Sequence, residues 1–397
     1  MQKALTSLIM EPIEELLSRG VEEVIERDVL EKLLKAKKKL RVKLGIDPTS
    51  PNIHIGRAVV LWKLRAFQEL GHKVVFIVGD FTGLIGDTSD KDAERPMLSE
   101  KEVAKNLKTY FEQAYKILDK KKTEVHYNSK WLKKLGFAEI GRLADLFSLH
   151  EFEARENIAK RLKSGKRVSL RELLYPLMQG YDSVAIKADV ELGGTDQRFN
   201  LLAGRIIQPA YGQKPQNILT MTLMEGTDGR KMSSSWGNTI NITTEPNDMF
   251  GKAMTVPDEL IKKYFTLATR VPLAEVDEII RANANPRDQK QRLAYEITKL
   301  YHGEKKAESA KQAFISQFSK GELPQEIETK KLKAGSYQLL DLLLETGLVA
   351  SKSEGRRLFQ QNGVRLNQEV VPDVKIELDG KAEFLVQVGK RKFIKVK

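Results

Sequence analysis

Apolar positions change period several times along the 397-residue chain, and the changes divide it. Leu40-Arg-Val-Lys-Leu-Gly-Ile46 alternates as a strand does, and after Pro48 and Pro51 the residues Ile55, Val59, Trp62, Leu64 and Phe67 recur at helical spacing. Gly71-His-Lys-Val-Val-Phe-Ile-Val-Gly79 is a short, nearly continuous apolar run, the mark of a strand buried on both faces. Strand, helix and strand in that order predict a parallel sheet. Upstream, Ile13, Leu16, Leu17, Val21, Val24, Ile25, Leu30, Leu33 and Leu34 keep helical spacing and predict leading helices over 8–39.

Downstream, a helix from Ser99 to Lys121 leads to the strand Thr123-Glu-Val-His-Tyr127, and 128–175 reads as short helices with polar faces. Such a stretch suits an insertion between the halves of a doubly wound sheet. Ser169 and Glu172 form a capping box for a helix from Leu170 to Asp182, which contains Pro176. Ala188-Asp-Val-Glu-Leu-Gly-Gly-Thr-Asp-Gln-Arg-Phe-Asn200 is a further strand, glycine pair and helix, and 216–222 supplies a last strand. Residues 241–325 are helical in pattern, with starts at Pro246, Pro257, Pro272 and Pro286. A charged linker over 326–335 precedes a small unit, 336–397. It is read as a helix from Ser336, a second helix from the box Ser351–Glu354 to Asn362-Gly363, and short strands from Val364, Phe384 and Phe393.

The absence of cysteine excludes disulfides, thiolate catalysis and sulfur-bound metal, and suits a reducing cytoplasm. The N-terminus lacks a signal-peptide core and no apolar run reaches membrane-spanning length, so a cytoplasmic protein with no membrane partner is expected. A formal charge of +13 favours polyanionic partners, with nucleic acid first, although a mixed Lys/Glu surface serving solubility would carry the same surplus. The tail is more one-sided: residues 331–397 hold 13 Lys and Arg against 8 Asp and Glu. Lys352, Arg356, Arg357 and Arg365 are the candidates there for phosphate contacts.

Candidate chemistry gathers at the predicted strand ends. The sharp turn Gly45-Ile-Asp-Pro-Thr-Ser-Pro-Asn-Ile-His-Ile-Gly-Arg57 leaves helix N–H groups that favour phosphate, with His54 as a donor and Gly56 clearing an approach. A helix-capping histidine in an ordinary turn is the plainer account of the same residues. The Gly-rich segment after Gly79 carries Thr82 and Asp87, either ligand-facing or merely turn residues. Tyr175, Gln179 and Asp182 share one helix face bordered by Leu174, Leu177, Met178 and Tyr181, a polar stripe in an apolar wall. Gly193-Gly194 allows close backbone approach and Asp196 can accept from ribose hydroxyls. Gly226-Thr-Asp-Gly-Arg-Lys-Met-Ser-Ser-Ser-Trp-Gly-Asn238 is a polar loop with Lys231 and consecutive hydroxyls.

His-Ile-Gly-Arg early and Lys-Met-Ser-Ser-Ser late resemble the two signatures of the class I aminoacyl-tRNA synthetases. Tyr-x-x-x-Gln-x-x-Asp resembles the amino-acid-binding helix of the tyrosyl-tRNA synthetases, and Ser353-Glu-Gly-Arg-Arg-Leu-Phe with Gly363-Val-Arg-Leu-Asn resembles an S4-type RNA-binding domain. The resemblance covers almost the whole chain. It implies an α/β, Rossmann-like doubly wound parallel sheet over 1–240 with the insertion at about 128–175, then an all-α anticodon-stem-binding domain, then an α+β S4-like domain. It further implies activation of tyrosine by ATP, with Mg²⁺ on the phosphates, transfer to tRNA(Tyr), and a homodimer made through the insertion, for which Leu143, Leu146, Phe147, Leu149 and Phe152 are candidates unless they are core.

Carried over by position, Thr49, His54, Lys231, Ser234 and Ser235 would act on the phosphates. Asp47, Gly56, Gly194, Asp196, Gln197, Lys231 and Met232 would bind the nucleotide. Asp87, Tyr175 and Gln179 would hold the substrate ammonium, and Asp182 its phenol hydroxyl. Two departures stand out: Arg57 where His is common, and Lys43 where many relatives have a Tyr that shares the phenol. Tryptophanyl-tRNA synthetases share both signatures without the tyrosine-type helix. A non-catalytic RNA-binding scaffold is a second rival, against which intact Thr49, His54, Asp196 and Lys231 speak.

Overall fold

The computed structural model describes residues 12–36, 38–47, 52–87, 100–233, 236–282, 285–319, 327–379, 383–389 and 392–397. The chain forms two compact units, Met1–Glu308 and Ser309–Lys397. Thr49, Ser234 and Ser235 lie outside the described residues.

In the first unit α1 (Pro12–Ser18), β1 (Val21–Ile25) and α2 (Arg27–Lys35) precede β2 (Arg41–Ile46), α3 (Ile55–Glu69) and β3 (Lys73–Val78). The short α4 (Thr82–Ile85) and α5 (Glu100–Ala114) then lead to β4 (Thr123–Tyr127). Four short helices follow: α6 (Ser129–Leu132), α7 (Phe137–Asp145), α8 (Leu149–Glu153) and α9 (Glu156–Lys163). After them come α10 (Leu170–Ile186), β5 (Val190–Gly194), α11 (Arg198–Ala210) and β6 (Asn217–Met221). The sheet runs in the order β1-β6-β5-β2-β3-β4, parallel throughout except that β1 lies antiparallel on β6. From β2 the chain winds outward through β3 to β4 and then crosses back to β5, so the switch point lies between β2 and β5.

The continuous apolar run behaves as its pattern requires: Val74 through Val78 are buried, as are Val42 and Leu44 on β2, Val190 and Leu192 on β5, and Ile218 and Leu219 on β6. Each such side chain contributes about 1.5–3 kcal/mol when removed from water. The leading segment corrects the sequence expectation. Within 8–39 the residues Val21-Glu-Glu-Val-Ile25 form an edge strand rather than helix, with Val21 opposite Met221 and Ile25 opposite Ile218. Gly20, at φ 63°, takes the left-handed conformation that ends α1, and an open edge on β6 offers a β-branched run more than a further helical turn would.

In the insertion, Leu143 and Phe152 are core residues packed with Leu177, Val184 and Ile207, and Phe147 meets Phe152 edge-on. Leu149 and Leu146 are exposed, as are Leu170 and Phe137, the last at 92%. The capping box of α10 is present: Glu172 accepts from the Ser169 N–H at 3.0 Å. The helix continues through Pro176. Glu172 is also buried against Arg161, whose Nη2 lies 2.9 Å from Oε1, so the same carboxylate caps α10 and fastens α9 to it.

Helices α12 (Pro246–Ala253), α13 (Ile261–Ala268), α14 (Leu273–Ala282), α15 (Pro286–His302) and α16 (Glu304–Ser319) follow. In the second unit β7 (Thr329–Lys330) lies within the charged stretch read as a linker. It is followed by β8 (Gly335–Gln338), α17 (Leu339–Glu345), α18 (Lys352–Gln360), β9 (Val364–Leu366), β10 (Glu369–Val370), β11 (Lys375–Leu378), β12 (Phe384–Val388) and β13 (Lys392–Val396). Its main sheet has the order β10-β9-β12-β13-β7, and β8 pairs with β11. Residues 336–338, expected to open a helix, are therefore strand, drawn out by pairing Tyr337 with Ile376. At α18 the Ser351 hydroxyl accepts from the Glu354 N–H, and Glu354 answers to the N–H of Ala350 at 2.7 Å.

Candidate active site

The carboxyl ends of β5, β2, β3 and β4 lie side by side, and the turns that leave them carry the polar residues singled out above. A directed chain of hydrogen bonds joins them. Tyr175 OH donates to Asp47 Oδ2 at 2.9 Å, and Thr82 Oγ1 donates to Asp47 Oδ1 at 2.8 Å. Asn128 spends one amide hydrogen on Thr82 Oγ1 at 3.0 Å and the other on Asp182 Oδ2 at 3.3 Å. Trp131 Nε1 donates to Asp182 Oδ1 at 2.7 Å. The chain thus runs from the middle of α10 across the ends of β2, β3 and β4 and back to α10, tying the stripe to the sheet. A Cβ on Gly79 would stand 1.9 Å from Asp47 Oδ1, so only glycine admits that carboxylate.

Asp182 is 3% exposed, and burial pushes its carboxyl up to about 7, partly offset by the Lys43 cation and by the bonds from Trp131 and Asn128. Within the apolar wall Asp182 holds two donors, the Asn128 amide and the Trp131 indole N–H, which no local sequence pattern foretold. Burial, then the Asp47 carboxylate, raises the Tyr175 phenol well above its usual range, so it stays a donor. Asp87 is buried and accepts from Gln197 Nε2 at 2.7 Å, while Gln197 Oε1 accepts from Asn200 at 2.9 Å. The Gln179 amide donates to Glu191 Oε1 at 3.1 Å.

On the nucleotide side, His54 is the N-cap of α3, and its Nδ1 accepts from the Arg57 N–H at 3.3 Å. Burial, and then the Arg57 cation, lowers its pKa to about 4, so near pH 7 the ring is neutral. With Nδ1 accepting, the proton sits on Nε2, and His54 serves as cap and donor together. The His54 stretch is stitched to the segment that follows the Lys231 loop by backbone bonds, Ile55 N to Ile240 O at 2.8 Å and Ile242 N to Ile53 O at 2.9 Å. Met232 packs over Gly56, while the Lys231 side chain is exposed. Buried Asn238 pins the base of the Lys231 loop: it donates to Asp228 Oδ1 at 2.8 Å and to Lys231 O at 3.1 Å, and accepts from Ser233 N at 2.8 Å. Asp228, held by Asn238 and then Arg230, has its carboxyl lowered to about 2. Asp196 occupies the turn after β5, where a Cβ on Gly194 would lie 2.5 Å from its Oδ1.

Among the described residues no group of three or more His, Cys, Asp or Glu could hold a metal ion. An apolar cavity of about 440 Å³ lies on another flank of α10, between Leu174, Leu177 and Met178 and the insertion residues Leu132, Leu135 and Ile140; the polar stripe does not line it.

A family model described as tRNA synthetases class I (W and Y) matches residues 35–319. The chain belongs to this family. It is 48% identical to the Thermotoga maritima protein named tyrosine–tRNA ligase over 96% of this chain and 96% of that one. To the protein of the same name from Shewanella oneidensis it is 49% identical over 95% and 96%. Two solved structures share the fold. One is a C-terminally truncated mitochondrial tyrosyl-tRNA synthetase of Aspergillus nidulans, with TM-score 0.65, 21% identity and coverage of 80% of this chain and 97% of that one. The other is tyrosyl-tRNA synthetase of Archaeoglobus fulgidus complexed with L-tyrosine, with TM-score 0.60, 21% identity and coverage of 76% and 100%. As a class I synthetase the chain brings Asp47, Asp87, Tyr175, Gln179, Asp182 and Gln197 to one sheet edge. Asn128 and Trp131 are the partners that sequence reading missed. The signal was available, because Tyr127-Asn-Ser-Lys-Trp131 follows the β4 strand at the edge where ligands bind in such sheets.

In the second unit Lys352, Arg356, Arg357 and Arg365 are all exposed. Lys352 pairs with Asp341 at 2.6 Å, and Arg365 donates to the Gln368 carbonyl at 3.0 Å.

Proposed function

We propose that the chain activates tyrosine with ATP to tyrosyl-adenylate and pyrophosphate, then transfers the tyrosyl group to the 3′-terminal ribose of tRNA(Tyr). The observation that carries this reading is the stripe Tyr175–Gln179–Asp182, which ends on a buried carboxylate fixed in place by hydrogen bonds from Trp131 and Asn128. Identity of 48–49% over nearly the full length to proteins named tyrosine–tRNA ligase supports it.

In the first step the substrate carboxylate attacks the α-phosphorus and the bond to pyrophosphate breaks, so no protein nucleophile is needed. The protein supplies placement and charge. Asp87, Tyr175 and Gln179 receive the ammonium and Asp182 accepts the phenol hydroxyl. Asp47, Gly56, Gly194, Asp196, Gln197 and Met232 frame the nucleotide. His54 donates through Nε2, and Lys231 with Thr49, Ser234 and Ser235 meets the phosphates, which carry Mg²⁺ with them. In the second step a ribose hydroxyl attacks the activated carbonyl and AMP leaves.

Residues 1–240 perform this chemistry, 241–325 dock the anticodon stem, and 336–397 add RNA contacts through Lys352, Arg356, Arg357 and Arg365. Exposed Phe137, Leu146, Leu149 and Leu170 in and beside the insertion fit a homodimer contact. Among the described residues no helix is long and apolar enough to cross a membrane, which suits a cytoplasmic enzyme. Tyrosine-dependent ATP–pyrophosphate exchange, with tryptophan and phenylalanine as controls, tests the reading. Exchange driven by tryptophan instead would overturn it.

A further inference from the structure

Lys43 and Glu191 are register partners on the adjacent parallel strands β2 and β5, and both are 0% exposed. The Lys43 ammonium spends its hydrogens on Glu191 Oε1 at 2.8 Å, Ser183 Oγ at 2.8 Å and the Gln179 carbonyl at 2.7 Å. Glu191 in turn accepts from Gln179 Nε2 at 3.1 Å and Ser183 Oγ at 3.1 Å, and from Gln216 Nε2. Stability does not account for this arrangement. The cost of taking two charges out of water can exceed what their attraction returns, and a well-packed apolar pair in their place is often neutral or stabilising. What the pair does accomplish is orientation. A carboxylate accepts and cannot donate, so Glu191 engages the NH₂ end of Gln179 and leaves the amide oxygen as the end for a ligand. An ammonium is a donor only and needs that oxygen.

We propose that the buried Lys43–Glu191 pair is a positioning device of the amino-acid pocket: it locks the Gln179 amide with its oxygen toward the substrate ammonium and so sets affinity for the α-amino group. Lys43 holds Glu191 charged and in place, and Glu191 holds Gln179. Since the Lys43 hydrogens are already engaged, the phenol is left to Asp182. This inference rests on the reading of α10 as the tyrosine-binding helix.

The test compares the wild-type chain with Lys43→Met/Glu191→Leu, which removes both charges together, and with Lys43→Met/Glu191→Gln, which keeps an acceptor for Gln179. Thermal unfolding identifies folded variants, and the milder double variant decides if the first fails to fold. The readouts are the KM for tyrosine in pyrophosphate exchange and competition by tyramine, which keeps the amine, and by 3-(4-hydroxyphenyl)propionate, which lacks it. In the Leu variant tyrosine and tyramine should weaken by about ten-fold or more, with the propionate and the KM for ATP within about two-fold of wild type. The Gln variant should fall between the Leu variant and wild type. Equal weakening of all three ligands, or of none, overturns the proposal. A wild-type chain that shows no tyrosine-dependent exchange would instead refute the functional reading, before any variant is compared.

Discussion

Met232 and Gly56 touch across the two signature stretches: a Cβ on Gly56 would come within 2.9 Å of Met232 Sδ and 3.2 Å of His54 Nδ1. Gly56→Ala should therefore push Met232 and the loop that carries Lys231 away from α3. Alanine gains up to about 1 kcal/mol over glycine at a helical position, so the fold should persist. The expected outcome is an unchanged or slightly raised Tm with a fall of about ten-fold or more in the rate of adenylate formation, read by thermal unfolding beside pyrophosphate exchange. A Tm drop that tracks the fall in activity would make this a packing contact alone.

Lys231 is exposed on a loop whose base Asn238 fixes. A cation so placed gains most when charge develops on the departing pyrophosphate, so Lys231→Ala should lower kcat for activation far more than it raises the KM for tyrosine. A fall of about two orders of magnitude in kcat is expected, in the range found when one preorganised charge donor is removed. Pre-steady-state adenylate formation separates the two effects, and an unchanged kcat would remove Lys231 from this role.

The Asp182 carboxyl, pushed up to about 7 by burial, changes form across neutrality. Below about pH 7 it is protonated, and above it the carboxylate is the stronger acceptor for a phenol O–H. Phenylalanine brings no hydroxyl and gains nothing from ionisation. Selectivity for tyrosine over phenylalanine should rise between about pH 6 and about pH 8 and then level off, and His54, neutral above about 4, adds no competing titration there. Asp182→Asn should abolish the rise and cut tyrosine activation by about ten-fold, or about 1.4 kcal/mol, with a much smaller effect on phenylalanine. The ratio of kcat/KM values across the pH series decides this, and a flat ratio in the wild-type protein would refute it.

Arg356 and Arg357 stand exposed on α18. Reversing both charges, Arg356→Glu with Arg357→Glu, should leave pyrophosphate exchange intact and weaken tRNA charging. For each phosphate that the variant no longer neutralises, the slope of log affinity against log salt should shrink by about 1. Filter binding of tRNA at several salt concentrations measures the slope, and an unaltered slope would show that this face does not meet RNA.

How much was legible from the chain differs by element. The alternating run into β2 read correctly because it admits only the period of two, and the continuous run of β3 because it is short, rich in β-branched residues and bounded by Gly71 and Gly79. Val21–Ile25 did not, because five apolar and acidic residues at mixed spacing satisfy helix and strand alike until β6 offers an edge. Asp182 was legible as an acid on a ligand-facing stripe, but its donors were not: Trp131 and Asn128 lie 51 and 54 residues away in sequence.

The sequence by itself determined the strand-and-helix order from β2 to β6, the signature turns at His54 and Lys231, and the face shared by Tyr175, Gln179 and Asp182, because these follow from local periodicity and from glycine and proline placement. Only the tertiary structure decided what those residues touch. Parallel strands are joined through long crossovers, so strand ends separated by scores of residues become neighbours, and a lysine on β2 finds its glutamate on β5. No local pattern encodes that distance, and the charge state of Asp182, the orientation of Gln179 and the neutrality of His54 all depend on it.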